Sequence, residues 1–257
     1  MHTSGQRVVL AKAESKKAEL FVRVAQRSEE VIMAQQLRYR IFTEEFGANL
    51  HSPVPGLDCD SFDPFCDHLL VKDNISGQVV ATTRLLADDK AKLAGSFYSE
   101  SEFDLSAIYQ LPGRKLEIGR TCVHPAFRNG ATLALLWSGI AKYVIDNEFD
   151  YLLGCGSISV IEGTAEAWSI TRQLQERCLT EENARVIPKR ILPQPVGPAP
   201  SKAAVPPLIR AYMRLGAQIG GDPCWDPDFQ CADLFILLHI DALAARYAKH
   251  FMKEPQA

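Results

Sequence analysis

Apolar side chains recur at helical spacing along two long stretches of the chain. The first runs from about Ser28 to Phe46; it opens with a serine that can cap a helix and two acids that favour its first turn, and Gly47 can close it. The second runs from Gly130 to Phe149. Their apolar faces consist of Met33, Leu37, Ile41 and Phe42 in the first stretch and of Leu133, Leu136, Trp137, Ile140 and Val144 in the second. This spacing predicts two long amphipathic helices.

Segments rich in β-branched and apolar residues predict strands around the second helix. Residues 68–73 and 78–86 are joined by the turn residues 74–77, which predicts an antiparallel hairpin. Residues 115–123 and 151–155 flank the second helix, and a strand–helix–strand order favours a right-handed crossover with parallel pairing. The expected fold class is therefore mixed α/β (α+β), with a central, mostly antiparallel sheet flanked by helices.

Prolines concentrate in one part of the C-terminal third. Residues 188–207 hold seven of the fifteen prolines, which predicts an extended loop instead of packed structure. After it we expect a helix at 207–215, a strand at 233–240 and a last helix from Asp241 to about Phe251.

The overall composition is that of an ordinary globular protein. The 257 residues are 47% hydrophobic and 23% charged, and no apolar run approaches the ~18 residues of a membrane span. The N-terminus lacks the apolar core of a signal peptide. We therefore expect a cytoplasmic location, a flexible N-terminal tail over residues 1–27 and a single domain over residues 28–257.

Charge and cysteine content argue against two classes of function. The net charge is −3, and lysine and arginine are scattered along the chain, so we expect no nucleic-acid partner. The seven cysteines are odd in number and include no Cys-x-x-Cys pair. This favours reduced, buried thiols over disulfides, and we expect no metal site.

The end of the 115–123 strand carries the most informative chemistry. Pro125, Arg128 and Gly130 follow the strand at once, and the second long helix then begins. Unpaired N–H groups at the start of a helix, together with the helix dipole, bind phosphate groups. The pattern indicates a pyrophosphate site, although the same kind of turn also occurs as a purely structural connection.

The run from Val123 to Thr132, with His-Pro-x-x-Arg-x-Gly at its start, resembles motif A of the GNAT acyltransferases. In that superfamily the turn holds the phosphates of coenzyme A or of protein-bound phosphopantetheine. The resemblance implies an acyl-phosphopantetheine donor substrate and no permanently bound cofactor. It also implies phosphate contacts at Val123, Arg128, Asn129, Gly130, Ala131 and Thr132.

Further motifs narrow the resemblance within this superfamily. Four of them resemble the acyl-homoserine-lactone synthase branch: Arg38-x-x-x-Phe42, Asp60-x-x-Asp63, Arg84-Leu85-Leu86 and Glu117-x-x-Arg120. The similarity is closer to the ornithine acyl-acyl-carrier-protein N-acyltransferases, and it is carried by Phe62–Val71, Phe97–Glu100, Phe103–Leu105, Arg128–Trp137 and Tyr212–Ala217. It spans about 38–251, nearly the whole chain.

This family resemblance implies a GNAT fold and a specific reaction. A long-chain, 3-hydroxylated acyl group would pass from acyl carrier protein to the α-amine of ornithine, as the first step of ornithine-lipid synthesis. The implied partners are acyl carrier protein and ornithine. The lipid product leaves open a peripheral contact with the inner membrane.

The resemblance also implies roles for individual side chains. Glu117 would be the general base or a carboxylate that orients the acceptor, and Arg120 would stand beside it at the reacting centre. Arg38, Phe42, Asp60, Asp63 and Arg84 would bind the acceptor. Charge matching then suggests that Asp60 or Asp63 holds the distal ammonium of ornithine while Arg84 or Arg38 meets its carboxylate. Because carrier proteins are acidic, Arg114, Lys115 and Arg128 are expected near the pantetheine entrance.

Each role has a structural alternative. Glu117 could be a solvated residue of a strand face, the aspartates could cap a turn, and the arginines could form structural ion pairs with them. His68 and His124 are expected to be structural. Glu117 and Arg120 also have opposite strand parity, so they share a face only if the strand has a bulge, which the GNAT resemblance supplies.

Three other functions remain open at this point. The chain could acylate another amino acid, or make a lactone signal from S-adenosylmethionine. It could also be a non-catalytic regulator that binds acyl thioesters. Within the acyltransferase interpretation, direct attack by the amine is favoured over an acyl intermediate on Cys122.

Overall fold

The computed structural model describes residues 19–197, 200 and 203–241. The strands are β1 (Leu20–Val24), β2 (Asp67–Asp73), β3 (Val79–Ala87), β4 (Phe103–Asp104), β5 (Lys115–Val123), β6 (Tyr151–Ser159), β7 (Ile187–Pro188), β8 (Gln218–Ile219), β9 (Cys224–Asp226) and β10 (Cys231–His239). The helices are α1 (Ser28–Glu44), α2 (Asp88–Ala94), α3 (Ser106–Gln110), α4 (Gly130–Asp146), α5 (Ala165–Cys178) and α6 (Pro207–Leu215).

The large sheet has the strand order β1-β2-β3-β5-β6-β10-β8, with β9 paired to β10. β5 and β6 are parallel, and the other pairs are antiparallel. The predicted hairpin is β2–β3, and the predicted crossover runs through α4. The expected mixed, mostly antiparallel sheet is therefore confirmed.

Helices cover both faces of this sheet. Leu69 of β2 belongs to the core formed with Leu136 and Ile140 of α4, whereas its neighbour Leu70 belongs to the core formed with Leu37 of α1. Successive residues of a strand point to opposite faces, so α4 and α1 lie on opposite sides of the sheet. The side covered by α1 is called the α1 face below.

The N-terminal tail was predicted to extend to residue 27, and this is wrong for its last part. Residues 20–24 form β1 and pair antiparallel with β2, while residues 1–18 lie outside the described residues. β1 is held in place because Val22 packs on α4 where Gly139 lacks a side chain. A methyl group at Gly139 would stand 2.5 Å from Val22 Cγ2. The alternation of Leu20, Val22 and Val24 was the missed signal.

The described residues 189–197, 200 and 203–206 of the proline-rich segment lie outside the helices and strands, but part of the segment is packed. Leu192 is fully buried in the main core. The indole N–H of Trp168 donates to the Pro193 carbonyl at 2.9 Å, and the Ser169 hydroxyl donates to the Pro200 carbonyl at 2.7 Å. These hydrogen bonds hold the loop against α5, a helix that the sequence analysis had not predicted.

The other elements agree with their predictions to within a few residues. α1 ends two residues early, β6 continues four residues further, and the helix at 207–215 has the expected bounds. The last predicted helix, after Asp241, lies outside the described residues. In the described part of the chain, no helix combines the length and hydrophobicity needed to cross a bilayer.

The parallel strands β5 and β6 separate soon after they meet. They pair at Lys115–Glu117 and Tyr151–Leu153 and then diverge. A cavity opens where they part, and its lining includes Ile118, Cys155 and Tyr212. Beyond the last pair, backbone groups that face the gap are released from cross-strand pairing. The gap is therefore the place where a ligand can reach both strands.

Gly154 sets the geometry at the point of divergence. A Cβ atom added there would stand 2.3 Å from the Ile118 carbonyl oxygen, a backbone atom that cannot move aside by itself. We expect Gly154→Ala to lower the free energy of unfolding by ~1–3 kcal/mol, the usual cost of overpacking. Denaturant unfolding measures this. The control is Gly130→Ala, whose new methyl group meets nothing within 4 Å; equal effects of the two changes would contradict the prediction.

Candidate active site

One face of the sheet carries the predicted reacting residues. His68 pairs with Arg84, and Leu86 pairs with Glu117. Directly opposed residues share a face, and alternate residues of one strand do too. Because His68 lies two residues before Leu70, the side chains of Arg84 and Glu117 both lie on the α1 face.

The predicted bulge in β5 is present. Arg84 pairs with Gly119 and Thr82 pairs with Cys122, so one residue of β3 stands opposite both Arg120 and Thr121. Arg120 has a φ of 52°, the left-handed conformation that a bulge can require. The extra residue brings Arg120 to the side of Glu117, and both contact Tyr98: the Tyr98 N–H donates to Glu117, and Arg120 donates to the Tyr98 hydroxyl at 3.2 Å.

Arg38 lies at the centre of a buried network beneath α1. Its side chain is fully buried, and its Nε donates to Asp58 Oδ2 at 2.7 Å. It also donates to Asp63 Oδ1 at 3.1 Å from both Nη1 and Nη2, and to the backbone carbonyl of Asp58. Arg38 thus ties α1 to the loop before β2.

Two further arginines complete this network. Arg84 Nη1 donates to Asp60 Oδ1 at 2.7 Å and to Asp63 Oδ2 at 3.2 Å. Arg120 Nε lies 3.3 Å from Asp58 Oδ2, and Arg120 Nη2 lies 3.5 Å from Asp60 Oδ2. Three arginines therefore face three aspartates, and their formal charges cancel. Asp58 was not predicted, although its place two residues before Asp60 was a usable signal.

The network shifts the pKa values of two of the groups in it, Asp63 and His68. Burial alone would raise the pKa of Asp63, but the guanidinium groups of Arg38 and Arg84 hold it well below its ordinary value. Burial, together with the charge of Arg38, lowers the pKa of His68 to about 4. His68 is therefore neutral near pH 7, which favours the predicted structural role.

Glu117 is held by the 3-10 turn at Tyr98–Ser101. Its Oε2 accepts the N–H of Tyr98 at 2.6 Å, and its Oε1 accepts the N–H and hydroxyl of Ser99 at 2.7 and 2.5 Å. Only 3% of its surface is exposed, so the solvated-surface alternative is wrong. Burial raises the pKa of Glu117, against the opposing effect of these hydrogen bonds. A carboxylate has about four acceptor positions, so one on Oε2 remains open.

Phe42 contributes indirectly to this side of the site. Its ring packs edge-to-face on Phe229, with centroids 5.6 Å apart. The guanidinium of Arg120 lies over two rings: it is 5.1 Å from the centroid of Phe229 and 4.7 Å from the centroid of Tyr98. The two rings therefore limit the movement of Arg120. Tyr98, Ser99 and Phe229 received no role from the sequence; Tyr98 and Ser99 stood in a quoted motif, and Phe229 gave no signal.

The predicted phosphate turn has the expected local structure. β5 ends at Val123, and α4 begins at Gly130 with Asn129 as its cap: Asn129 Oδ1 accepts the N–H of Thr132 at 3.0 Å. Gly130 and Ala131, the two residues before Thr132, are exposed at the start of the helix, where their N–H groups have no partner within the helix. The turn thus presents free donors and the positive end of the helix dipole to solvent.

Arg128 is anchored at the same turn. Its Nε donates to the Val123 carbonyl at 3.1 Å, and its Nη2 forms an ion pair with Glu45 at 2.5 Å. Arg114 and Lys115 lie at the other end of β5, and nine residues of strand span ~26 Å or more. Arg114 and Lys115 are therefore far from the turn that carries Arg128, so the three predicted residues cannot all lie at one pantetheine entrance.

Cys122 is poorly suited to act as a nucleophile. It is buried in the core with α1, and burial raises its pKa to about 12. The thiolate is the reactive form of cysteine, so this thiol is inert near neutral pH. The geometry favours direct transfer over an acyl-cysteine intermediate.

The fold and this site define a class of protein. A profile of the acetyltransferase (GNAT) domain matches residues 37–138, which contain the second half of α1, all of β2, β3 and β5, and the first half of α4. Together with the strand divergence and the open helix start, this match defines the chain as an acyltransferase of the GNAT superfamily.

Curated relatives identify the family within that class. The L-ornithine N(alpha)-acyltransferase of Rhizobium meliloti (strain 1021) is 37% identical over 251 residues, which cover 91% of this chain and 84% of the relative. The enzyme of the same name from Brucella abortus (strain 2308) is 34% identical, with 98% of this chain and 94% of the relative covered. The chain belongs to the L-ornithine Nα-acyltransferase family.

Solved structures agree on the fold. FeeM, an N-acyl amino acid synthase from uncultured soil microbes, superposes with a TM-score of 0.56 at 12% identity, covering 90% of this chain and 95% of that one. The CoA-dependent acyl-homoserine lactone synthase BjaI gives 0.54 at 16% identity, covering 94% and 96%. The predicted GNAT fold is confirmed.

Proposed function

We propose that this protein transfers a long-chain, 3-hydroxylated acyl group from acyl carrier protein to the α-amine of L-ornithine, the first step of ornithine-lipid synthesis. Membership of the L-ornithine Nα-acyltransferase family carries the choice of acceptor. The observation that carries the chemistry is the buried carboxylate of Glu117, which lies on β5 at the last residue pair before β6 diverges.

The donor side of the proposal rests on the turn after β5. The phosphate of phosphopantetheine would bind the free N–H groups of Gly130 and Ala131 with Arg128 beside them, and Val123, Asn129 and Thr132 shape this turn. The pantetheine arm would then enter the gap between β5 and β6. Backbone N–H groups released in that gap would polarise the thioester carbonyl. No tightly held cofactor is needed, because the donor arrives already activated.

The acceptor would attack the thioester directly. The reference pKa of an α-amine is ~7.7–8.0, against ~10.4 for a side-chain ammonium, so the α-amine is more easily deprotonated. Glu117 would take one amine proton at the open position on Oε2 while nitrogen bonds to the carbonyl carbon. The carbon–sulfur bond then breaks, and the leaving thiolate receives the proton that Glu117 took from the amine, which restores the carboxylate. Arg120, whose buried Nε has no hydrogen-bond partner among the described residues, would hold the acceptor's carboxylate beside Tyr98. Arg84, Arg38 and Phe42 would support it.

The acceptor is tested with purified protein and a mixed pool of amino acids plus S-adenosylmethionine. Intact-mass detection should show acylated ornithine as the main product. A main product built on another amino acid, or a lactone, would contradict the proposed acceptor. Binding of acyl carrier protein without any turnover would instead favour a non-catalytic regulator.

The donor is tested by ionic strength. We expect kcat/KM with acyl carrier protein to exceed that with the matching acyl-coenzyme A and to fall as salt rises, because a folded acidic carrier meets basic residues at the entrance. Arg128→Ala should weaken this salt dependence. Arg114→Ala is the matched control, since it removes an equally exposed arginine from the far end of β5. Equal efficiency with both donors at all salt concentrations would argue for a coenzyme A enzyme.

The amphipathic character of the product also suggests where in the cell the enzyme acts. Acylated ornithine joins a long apolar chain to a polar head, so it partitions into a bilayer. We therefore propose a cytoplasmic enzyme that contacts the inner membrane peripherally when the product leaves. Co-sedimentation with anionic vesicles during turnover, but not without donor, would support this.

A further inference from the structure

A second cluster of acids lies on the α1 face, and the mechanism above does not use it. Asp233 on β10 pairs with Ser157 on β6, and Asp226 on β9 pairs with Cys231 on β10. By strand parity these side chains share the face of Glu117, because Ser157 lies four residues after Leu153, the partner of Glu117. Glu102 joins them from the loop before β4. Glu102, Asp226 and Asp233 are called the acidic cluster below.

The cluster is buried and has no basic partner. Asp233 and Glu102 are each 3% exposed and Asp226 is 7% exposed. None of the ion pairs between described residues includes any of the three. This contrasts with the network around Arg38, in which each aspartate has arginine partners.

Neutral hydrogen-bond donors pair with only some of the carboxylate oxygens in the acidic cluster. Asp233 Oδ1 accepts the hydroxyl of Ser157 at 2.6 Å, and its Oδ2 accepts the thiol of Cys231 at 3.4 Å. Asp226 Oδ1 accepts two N–H groups of the loop that follows it. Glu102 Oε2 is buried and has no hydrogen-bond partner among the described residues. A buried carboxylate oxygen without a donor is costly, and it indicates a missing ligand.

The electrostatics agree with this contact pattern. Burial, and then the charge of Asp233, raises the pKa of Glu102 well above its ordinary value. Burial, with the charge of Asp226 acting in the same direction, raises the pKa of Asp233 to about 6. Either protons or a bound cation must compensate carboxylates that repel each other in this way.

The cluster is continuous with the reacting centre. Ser99 contacts Glu117 through its hydroxyl, and the thiol of Cys155 donates to the same hydroxyl at 3.3 Å. The N–H of Glu102 bonds to the Ser99 carbonyl at 3.1 Å. Ser157, which touches Asp233, is solvent-exposed, so the cluster has an opening next to the gap between β5 and β6. β10 lies one strand beyond β6, and Asp233 stands opposite Ser157, four residues along β6 from the partner of Glu117. The cluster is thus ~5–10 Å across the sheet from the gap and ~13 Å along the strands from the Glu117 pair.

We propose that Glu102 and Asp233, assisted by Asp226, bind the distal ammonium of the acceptor and so select a dibasic amino acid. This inference rests on the proposed function, because it assumes that an amino acid is acylated at the gap. Besides burial, the charges of Glu102 and Asp233 raise the pKa of Tyr98, which contacts both Glu117 and Arg120, so these acids act on the reacting centre. Asp60 and Asp63, the residues predicted for this role, form ion pairs with Arg38, Arg84 and Arg120. Asp60 Oδ2 is also buried without a hydrogen-bond partner among the described residues, but an arginine lies within ion-pair distance of it, which is not so for the acidic cluster.

The test compares ornithine with norvaline, which has the same carbon chain without the distal ammonium. For Asp233→Asn we expect kcat/KM for ornithine to fall ~30-fold or more, the lower bound for breaking a buried charge pair. Activity with norvaline should change less than ~3-fold. Glu102→Gln should act in the same direction, and Glu162→Gln, at an exposed position, is the matched control. Slow hydrolysis of the donor without acceptor should be unchanged in Glu162→Gln.

Binding provides a second measurement that does not depend on turnover. Ornithine should raise the melting temperature of the wild-type protein more than norvaline does, and Asp233→Asn should remove the difference. Equal losses for both acceptors would overturn the proposal, as would loss of ornithine preference in Asp60→Asn but not in Asp233→Asn. Loss of the preference on adding a chelator would point to a metal ion in the cluster and overturn it too. A wild-type protein that acylates no ornithine, yet is stabilised by it through Asp233, would contradict the proposed function and not this site.

Discussion

Glu117→Gln is expected to lower kcat by roughly 10²–10⁴-fold, the usual contribution of a positioned general acid or base. The change keeps the size of the side chain but removes the ability to take a proton. Donor binding should stay within a few-fold, because the phosphate turn lies at the other end of β5. Steady-state kinetics with saturating donor measure both quantities.

The pH profile separates this role from a structural one. The general base must be deprotonated, so the rate of the wild-type enzyme should fall as the pH drops through the pKa of Glu117, which burial has raised. Glu117→Gln should lose this limb of the profile. Glu100→Gln, in the same turn, is the control. If instead Glu117 only holds Tyr98 and Ser99 in place, kcat and the melting temperature should fall together and the acid limb should remain.

Arg38→Met is expected to lower the free energy of unfolding by ~3–5 kcal/mol, the typical effect of removing one partner of a buried ion pair. The change leaves Asp58 and Asp63 buried with fewer donors, while methionine roughly fills the vacated volume. Denaturant unfolding measures the loss. Arg40→Met, an exposed change two residues along the same helix, should stay within ±0.5 kcal/mol.

The pH dependence of this difference has a defined sign. The pKa of Asp63 is lower in the folded protein than in the unfolded chain. Its contribution to stability is therefore complete above about pH 4, the ordinary range of aspartate, and is lost as the pH falls towards the lower folded value. The gap between wild type and Arg38→Met should accordingly shrink below about pH 4. A gap that stays constant down to pH 2 would show that Arg38 stabilises by packing and not by its charge.

Long-range pairs explain several of the features that the sequence analysis missed, although the signal for β1 was local. β8 and β9 contain two and three residues, too few for a periodic signal, and they exist because β10 offers an edge to pair with. The acidic cluster was missed for the same reason: Ser157 and Asp233 are 76 positions apart and meet only through the pairing of β6 with β10. A single sequence shows no such pairing.

The sequence by itself determined the local elements and the family. The helix at 207–215, the strand at 115–123 and the open start of α4 follow from periodicity, proline and capping residues, all of which act within a few positions along the chain. The motifs Arg38-x-x-x-Phe42 and Glu117-x-x-Arg120 gave the class of chemistry. These signals depend only on residues a few positions apart, so a single sequence contains all of the information in them.

Only the tertiary structure decided which charges compensate one another. The bulge at Arg120 turned its side chain towards Tyr98. Three arginines then neutralised Asp58 together with Asp60 and Asp63, the two aspartates that charge matching had reserved for the acceptor. The uncompensated acids are Glu102 and Asp233, to which the sequence had given no role. The physical reason is that the energy of a buried charge depends on the few groups within ~4–6 Å of it, and only the packing of the sheet fixes those neighbours.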